Sequence, residues 1–503
     1  MLFTTAPFVL LFLPVALSVF FLLGRWTHAG AAAWLFAASL FFYAYWMPVF
    51  TLLLLASIVF NFLTGAGIAR ARSVNQRWRH WPLATVLLTL GITVNMAALC
   101  YFKYANFFVD NVNALLQTQW PAAGVILPIG ISFYTFTQIA YLVDTWAGKV
   151  NEVKATHYGL FVTYFPHLIA GPVLHHAQMM PQFEDRGVYR VNSANLVAGL
   201  GIFTLGLAKK IILADGVAPY ADAVFNGADG GAMPTSTEAW LGALAYTFQL
   251  YFDFSGYSDM AIGLSRMFNI QLPFNFNAPY KAINISDFWR RWHISLSTFL
   301  RDYLYVPLGG NRKGAMLRYV NLWLTMVLGG LWHGASWSFV VWGAAHGAYL
   351  MVNHAFRAVA ERAGWQPFLR RSRLFVLMSW ALTFAAVVAA WVLFRAHSLE
   401  GASRMLAAMV TMAGSADGLA STKLLYWNAG LSPAVGAVWC MVLGALAFCC
   451  PNSNLLGERL LALVRRSVGA RAAIGSAALV LMLFLLLVNT TRDAVSAFIY
   501  FNF

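Results

Sequence analysis

Runs of about 20 apolar residues recur along almost the whole chain, and this feature constrains the fold more than any other. A helix needs a run of that length to cross a hydrocarbon core about 30 Å thick. We expect some runs to form re-entrant or interfacial helices, because they contain proline, glycine or acidic residues. About a dozen runs are present, at 5–24, 31–48, 49–67, 83–102, 124–143, 158–174, 195–214, 238–268, 319–350, 376–395, 432–450 and 472–490.

The composition excludes a water-soluble fold. Only 10% of the residues are charged and 60% are hydrophobic, whereas a soluble domain has about 25% charged residues. The sequence therefore predicts an all-α polytopic membrane protein with about 11–12 transmembrane helices plus re-entrant or interfacial helices. We treat 1–503 as one integral membrane domain, with N-terminal helices at 1–124, a core rich in unusual polar residues at 125–350 and scaffold helices at 351–503.

The net charge of +15 predicts an orientation in the membrane and no nucleic-acid partner. The basic residues lie in short loops, as in proteins that keep positive charge on the cytoplasmic side. The loop 69–82 contains four arginines and no acidic residue, so we expect it to be cytoplasmic. Counting back three spans places Met1 outside, and Arg25 then lies inside. The first apolar run lacks a preceding basic residue and a small-residue cleavage site, so we expect a retained span.

The four cysteines predict neither a disulfide framework nor a metal site. Cys100, Cys440, Cys449 and Cys450 lie in or beside apolar runs, and no CxxC spacing occurs among them. Packing within the membrane is the interpretation that this pattern favours.

Segment 286–305, "SDFWRRWHISLSTFLRDYLY", has the pattern of one amphipathic interfacial helix. Asp287 has the spacing to pair with Arg290 or Arg291. His293 lies on the apolar side, where the pattern alone would place a leucine. The residues alone leave open whether His293 is functional or a buried histidine with one hydrogen bond. The apolar side consists of Trp289, Trp292, His293, Leu296 and Leu300.

Segment 326–347, "MVLGGLWHGASWSFVVWGAAHG", contains two histidines within an apolar run. An ionisable group at membrane depth is a functional candidate by default. The small residues around His333 allow helices or a substrate to approach closely. His346 lies about 220° further round a continuous helix, so the two do not form a local metal pair. We interpret His333 as functional and His346 mainly as structural.

Two further segments contain polar groups of possible function. Asp253 and Asp259 lie in the aromatic run 246–263, where each acts directly or orients a nearby arginine or histidine. The turn "PLGGNRKG" at 307–314 has the first glycine spacing of a P-loop, but the Lys-Ser/Thr pair is missing, so nucleotide hydrolysis is excluded. A turn whose backbone amides and basic side chains contact phosphate remains open.

Five motifs are the most specific pieces of the sequence: "LPIGISFY", "FPHLIAGPV", "QLYFDFSGYSDMAIGL", "FWRRWHISLSTFLRDYLYVPLGGNRKG" and "LGGLWHGASWSFVVWGAAHG". With them the chain closely resembles the membrane-bound O-acyltransferase family, over roughly residues 1–400. The closest likeness is to the branch that contains the alginate O-acetyltransferase membrane subunit. The match weakens after about 415.

The resemblance implies a ring of helices around a central funnel, with the catalytic core at 125–350. The family's membrane histidine matches His333, which would act as general base, and its second polar position matches His293. His293, with Trp292 or Trp332, would orient the acyl group or stabilise the oxyanion. Asp253 and Asp259 would support the site. The residues expected at the cytosolic donor entrance are Arg290, Arg291, Arg312 and Lys313.

The resemblance also implies partners and a location. Acetyl-CoA is the expected co-substrate, although a carrier-bound acyl group is used elsewhere in the family. No bound cofactor and no metal are expected, and the protein would lie in a bacterial inner membrane. Periplasmic acetyl-transfer proteins would pass the acetyl group to an exopolysaccharide, with alginate as the first choice.

Other interpretations stay open. Acylation of cellulose, peptidoglycan or teichoic acid would use the same chemistry. A transporter or flippase of an acylated carrier would use none and would tolerate the loss of His333 at least in part. A scaffold for polymer secretion would need neither histidine.

Overall fold

The computed structural model describes residues 2–78, 81–150, 154–169, 171–312, 314–365, 371–411, 424–492, 496 and 498–499. Two compact units are present within it. The first consists of Met1–Leu207, Tyr257–Phe274 and Leu455–Phe501, and the second of Ala208–Gly256, Asn275–Asn454 and Asn502–Phe503. The assignment of the chain to one membrane domain with a catalytic core at 125–350 stays a prediction.

The first unit consists mainly of apolar helices, with a two-residue antiparallel β-ribbon formed by Arg77–Trp78 and Trp81–Pro82. Its interior is aromatic, since the rings of Phe8, Phe42 and Phe165 contact one another. The helices are Phe8–Gly24, His28–Ala44, Pro48–Ser73, Leu83–Leu116, Ile131–Trp146, Ala155–Thr163, Phe165–Leu168, His176–Met179, Ser193–Ala208 and Val468–Thr490.

The second unit contains the histidines and most of the polar residues singled out from the sequence. Three helices, Ser193–Asp229, Ser236–Met267 and Ser453–Arg466, contribute residues to both units. The helices of the second unit are Asp215–Asp229, Ile285–Arg291, Ile294–Leu300, Ala315–His333, Trp337–Arg362, Arg373–Arg395, Leu399–Thr411, Leu424–Asn428 and Pro433–Cys449.

The all-α polytopic membrane fold is confirmed. Among the described residues, five helices are long and apolar enough to cross a membrane, or six if Pro433–Cys449 and Ser453–Arg466 form one broken span. The remaining predicted runs form shorter or interrupted helices, or helices that contain too many polar residues to meet the same criterion. The five helices are Pro48–Ser73, Leu83–Leu116, Ser193–Asp229, Arg373–Arg395 and Val468–Thr490.

The run predicted at 319–350 is not one continuous helix, and that prediction was wrong. Gly334 and Ser336 adopt extended backbone conformations, so helix Ala315–His333 ends there and helix Trp337–Arg362 turns back along it. We call these two helices the histidine hairpin. Their axes are antiparallel, because Gly330 lies against Phe339 whereas Trp323 lies against Gly347.

Glycines allow the two helices of the histidine hairpin to touch through their backbones. A methyl group on Gly330 would overlap the carbonyl oxygen of Phe339, and one on Gly343 would overlap that of Met326. Small residues at helix contacts are typical of membrane proteins, and the sequence predicted this role for them. Here the backbone contact at Gly330 and Gly343 fixes the position of the helix that carries His333.

Gly343→Ala is expected to destabilise the protein by about 3 kcal/mol, the upper part of the range for overpacked interiors. The added carbon meets main-chain atoms, which move less easily than a side chain. Thermal unfolding of the detergent-solubilised protein measures the effect. Gly329→Ala is the matched control, because its added carbon would meet only a side-chain carbon of Leu300 at 3.2 Å. Equal melting temperatures for the two variants would contradict the prediction.

Candidate functional site

His333 is buried at the end of its helix and is surrounded by aromatic rings. Its side chain is 5% exposed. The ring centroids of Trp332, Trp342 and Phe394 lie 5.0, 5.2 and 5.2 Å from that of the imidazole, all with steep interplanar angles. The indole of Trp332 is therefore in direct contact with the imidazole of His333, as the roles implied by the resemblance require. The aromatic rings fix the orientation of the imidazole.

His346 is fully buried in the second helix of the histidine hairpin. The indole N–H of Trp289 donates to its Nδ1 at 3.3 Å, so the neutral ring carries its proton on Nε2. Phe288 packs parallel to the imidazole, with 6.2 Å between ring centroids. These contacts are those of a structural histidine. The indole of Trp342 lies between the two histidines, 5.2 Å from His333 and 4.8 Å from His346.

His293 occupies a break in the chain rather than the middle of a helix. The prediction of a single amphipathic helix over 286–305 was wrong. Helix Ile285–Arg291 ends before Trp292, and His293 adopts a left-handed conformation with φ of 43°. Helix Ile294–Leu300 then begins. A non-glycine residue in this conformation is uncommon and is held there by its surroundings.

The side chain of Asn275 stabilises this break. Its Oδ1 accepts hydrogen bonds from the backbone N–H of Ser295 at 3.2 Å and from the Ser295 hydroxyl at 2.9 Å. The same oxygen lies 3.1 Å from Nδ1 of His293. Because that oxygen is an acceptor, Nδ1 carries the proton and Nε2 presents a lone pair. Burial lowers the pKa of His293 to about 3, so its ring is neutral at pH 7.

Asn275→Ala is expected to destabilise the protein by about 1–3 kcal/mol, because it leaves the buried N–H of Ser295 without its acceptor. The activity that the resemblance implies should fall as well, since His293 loses the contact that orients its ring. Thermal unfolding and initial rates on the same preparation measure both effects. Asn452→Ala is the control, as that side chain bonds to Asn277 and to the backbone N–H of Asn454 and not to the segment at His293. An unaltered rate for Asn275→Ala would show that the orientation of His293 is unimportant.

Trp292 lies in the aromatic interior of the second unit. It is 2% exposed, and its ring contacts Phe276 at 5.0 Å and Trp391 at 4.9 Å between centroids. Trp391 in turn stacks on Trp342 at 5.9 Å. Trp292 is therefore connected to His333 through two indole rings.

Asp253 belongs to a buried ion triad. Lys210 Nζ lies 2.6 Å from Asp253 Oδ1 and 2.9 Å from Asp215 Oδ1, and all three side chains are 7% exposed or less. The sequence had predicted an arginine or histidine as the partner, and the described ion pair is with a lysine. Phe254, the next residue, contacts His293 edge-on at 4.8 Å between centroids. Asp259 is buried as well, but it belongs to the first unit.

The predicted donor residues differ in their surroundings. Arg290 and Arg291 both pair with Asp287, at 3.6 and 2.9 Å, which confirms the pairing predicted from their spacing. Arg312 is exposed, and Lys313 lies outside the described residues.

The turn 307–314 does not present a row of open amides. The N–H groups of Gly309, Gly310 and Arg312 donate to carbonyl oxygens within residues 305–309. Asn321 donates to the carbonyl oxygens of Leu308 and Gly310 at 3.2 and 3.3 Å. These three amides are therefore engaged within the turn, which favours side-chain charge over backbone amides for any phosphate contact there.

The sequence analysis missed Lys210, Asn275 and Trp342. Lys210 stands in an apolar run, and the rule that made His333 a candidate would have identified it. It also lies in the π-helical segment Lys209–Ala214, a distortion that is frequent at functional sites. Asn275 and Trp342 have no local sequence signal, since their partners are contacts between elements.

The chain matches proteins of known class over most of its length. The model of the membrane-bound O-acyltransferase family matches residues 80–394. A peptidoglycan O-acetyltransferase of Helicobacter pylori is 42% identical over 443 residues, which cover 82% of this chain and 80% of the relative. A probable alginate O-acetylase of Azotobacter vinelandii is 44% identical over 416 residues, covering 81% and 78%.

A more distant similarity extends to another acyl group. A teichoic acid D-alanyltransferase of Bacillus subtilis is 26% identical over 275 residues, which cover 52% of this chain and 68% of the relative. The matched region of the family model includes His293, His333 and His346, together with the ion triad.

Proposed function

Because the chain belongs to the membrane-bound O-acyltransferase family, we propose that it transfers an acetyl group from a cytosolic thioester donor toward acceptors on the outer face. The chain is a multi-pass membrane acyltransferase. The expected donor is acetyl-CoA, and the expected final product is an O-acetylated exopolysaccharide of the alginate type. Relatives named as a peptidoglycan O-acetyltransferase and as probable alginate O-acetylases, at 42–44% identity over four-fifths of the chain, support the acetyl group.

The observation that carries the proposal is the position of His333. It is a buried imidazole at a helix end, held by three aromatic rings within a segment of small residues. The acceptor hydroxyl must lose a proton as its oxygen attacks the thioester carbonyl, and histidine has a pKa suited to that task near neutral pH. His333 accepts that proton as the new ester bond forms, the carbon–sulfur bond of the thioester breaks, and the imidazolium returns the proton to the leaving thiolate.

The other predicted residues take supporting roles. The neutral ring of His293 can accept a hydrogen bond at Nε2, so it suits orientation of a hydroxyl better than stabilisation of an oxyanion. The indole N–H of Trp332, beside His333, is the better oxyanion donor. Trp292 packs the wall of the site, and the ion pair of Asp253 anchors the helix that carries Phe254, whose ring contacts His293. Arg290, Arg291, Arg312 and Lys313 would face the cytosolic donor.

We place the protein in a bacterial inner membrane with the basic loop 69–82 in the cytoplasm and the N-terminus outside. In this arrangement the donor arrives from the cytosol. Acetyl groups leave toward periplasmic proteins of the polysaccharide machinery, and membrane lipids surround the helices.

The test is thioester cleavage by the purified protein in lipid nanodiscs with radiolabelled acetyl-CoA. Alginate oligomers and peptidoglycan fragments are supplied separately as acceptors, with the periplasmic partners present. We expect release of free coenzyme A and label on alginate. Absence of thioester turnover under every condition would overturn the proposal.

Peptidoglycan is the second candidate acceptor. The Helicobacter pylori relative named as a peptidoglycan O-acetyltransferase matches slightly more of this chain than the alginate relatives do. Label on peptidoglycan fragments in place of alginate would select it.

A further inference from the structure

A basic cluster lies at the open end of the histidine hairpin, opposite the turn that carries His333. The guanidinium of Arg318 lies 4.7 Å above the ring of Tyr319, and its Nη2 donates to the Tyr319 hydroxyl at 2.8 Å. The ring of Tyr319 lies 6.3 Å from that of His354. Arg357 follows one turn later on the same helix as His354. We call Arg318, His354 and Arg357 the basic cluster.

Two buried nitrogens of the basic cluster have no hydrogen-bond partner among the described residues. They are Nε of Arg318 and Nδ1 of His354. A buried donor without an acceptor is costly, and more so when it carries charge. Burial, followed by the charges of Arg318 and Arg357, lowers the pKa of His354. Because the Ser286 hydroxyl donates to Asn353, it accepts from Nε2 of His354, and Nδ1 of the neutral ring carries the lone pair. A bound anion would therefore supply the missing acceptor to Nε of Arg318 and offset the repulsion between Arg318 and Arg357.

Carboxylates do not neutralise the basic cluster. In the described part of the chain, neither Arg318 nor Arg357 forms an ion pair, although Glu361 lies one turn beyond Arg357. The helix that carries Asp287 packs nearby, since the hydroxyl of Ser286 lies 3.5 Å from Nε2 of His354. Asp287 is already shared by two arginines. The surface is therefore positive overall.

We propose that the basic cluster binds phosphate groups of the acyl donor. This inference rests on the proposed function, because it assigns a place to a phosphate-bearing thioester. Arg318 and His333 lie on one helix, 15 residues apart, which corresponds to about 22 Å at 1.5 Å per residue. A donor that reaches both ends needs phosphates at one end, a thioester at the other and a long arm between them. Coenzyme A thioesters have this construction.

The experiment compares acetyl-CoA with acetyl-pantetheine, which has the same thioester and arm but no phosphate. The variant is Arg318→Gln/Arg357→Gln, and Arg373→Gln is the control because it removes an exposed positive charge from the start of another helix. We expect the double variant to raise KM for acetyl-CoA about tenfold or more, with kcat nearly unchanged. KM for acetyl-pantetheine should not change, and the control should behave as wild type.

Other outcomes overturn the inference. An equal rise in KM for both thioesters would mean that the arginines act on the fold or on the arm. The KM for acetyl-CoA could stay unaltered while the rate depends on anionic lipid only when the arginines are present. That result would mean that the basic cluster binds the phosphate of lipid headgroups and not that of the donor.

Binding of coenzyme A, measured by calorimetry in nanodiscs, separates this inference from the proposed function. If wild type binds coenzyme A and the double variant binds it about tenfold more weakly, the phosphate site stands even without turnover. If both bind it equally, the site is wrong. Cleavage of acetyl-CoA by wild type with no effect of the arginines would leave the proposed function intact and overturn the phosphate site.

Discussion

His333→Ala is expected to abolish measurable thioester cleavage while the protein still inserts and folds. Loss of a general base typically lowers a rate about 10²–10⁴-fold. The imidazole is buried among the rings of Trp332, Trp342 and Phe394, and none of these side chains can replace it as a base. The measurement is the initial rate of coenzyme A release from acetyl-CoA, normalised to the amount of monodisperse protein. His28→Ala is the control, because this exposed histidine stacks on Tyr189 in the first unit.

The same variant separates the proposed function from its alternatives. A transporter of an acylated carrier would keep part of its activity without His333, and a scaffold for polymer secretion would keep all of it. His346→Ala is informative beside it. Its contacts with Trp289 and Phe288 are structural, so we expect lower stability with residual turnover. Full activity of His333→Ala would show that His333 is not the general base.

Lys210→Met is expected to cause the largest loss of stability, about 3–5 kcal/mol. Removing one partner of a buried ion pair leaves charge without compensation, which costs far more than the pair contributes. Here two carboxylates, Asp215 and Asp253, would remain buried without the ammonium group between them. Thermal unfolding in detergent and the yield of monodisperse protein measure the effect. Activity should fall too, because Phe254 follows Asp253 and contacts His293.

Two further variants test the reason for that loss. Lys210→Arg keeps the positive charge and should recover most of the stability. The combination Lys210→Met/Asp215→Asn/Asp253→Asn removes all three charges and should be more stable than Lys210→Met alone. A combined variant no more stable than the single one would mean that the lysine contributes by packing and not by charge.

The long helices could be predicted from the sequence because hydropathy is a local signal. The apolar runs at 49–67, 376–395 and 472–490 coincide with helices Pro48–Ser73, Arg373–Arg395 and Val468–Thr490. The interruptions were harder to predict. The break at His293 depends on Asn275, 18 residues earlier, and a helical periodicity calculated over 286–305 contains no information about that side chain.

In the candidate site, too, some contacts could be predicted from the sequence and others could not. The pairing of Asp287 with Arg291 follows from helical spacing and could be predicted. The partner of Asp253 could not, because Lys210 lies 43 residues away along the chain and meets it through packing of two elements. The internal hydrogen bonds of the turn 307–314 were also beyond prediction, since whether its amides are engaged depends on the exact fold of the turn.

The backbone contact at Gly330 and Gly343 has a mechanical consequence. Where side chains interdigitate, helices can slide or rotate by exchanging rotamers, but a main-chain contact has no such adjustable layer. The two helices of the histidine hairpin should therefore move together as one rigid body. Any opening that admits a reactant to the imidazole must come from other segments, and cross-linking the two helices near this contact should leave turnover intact.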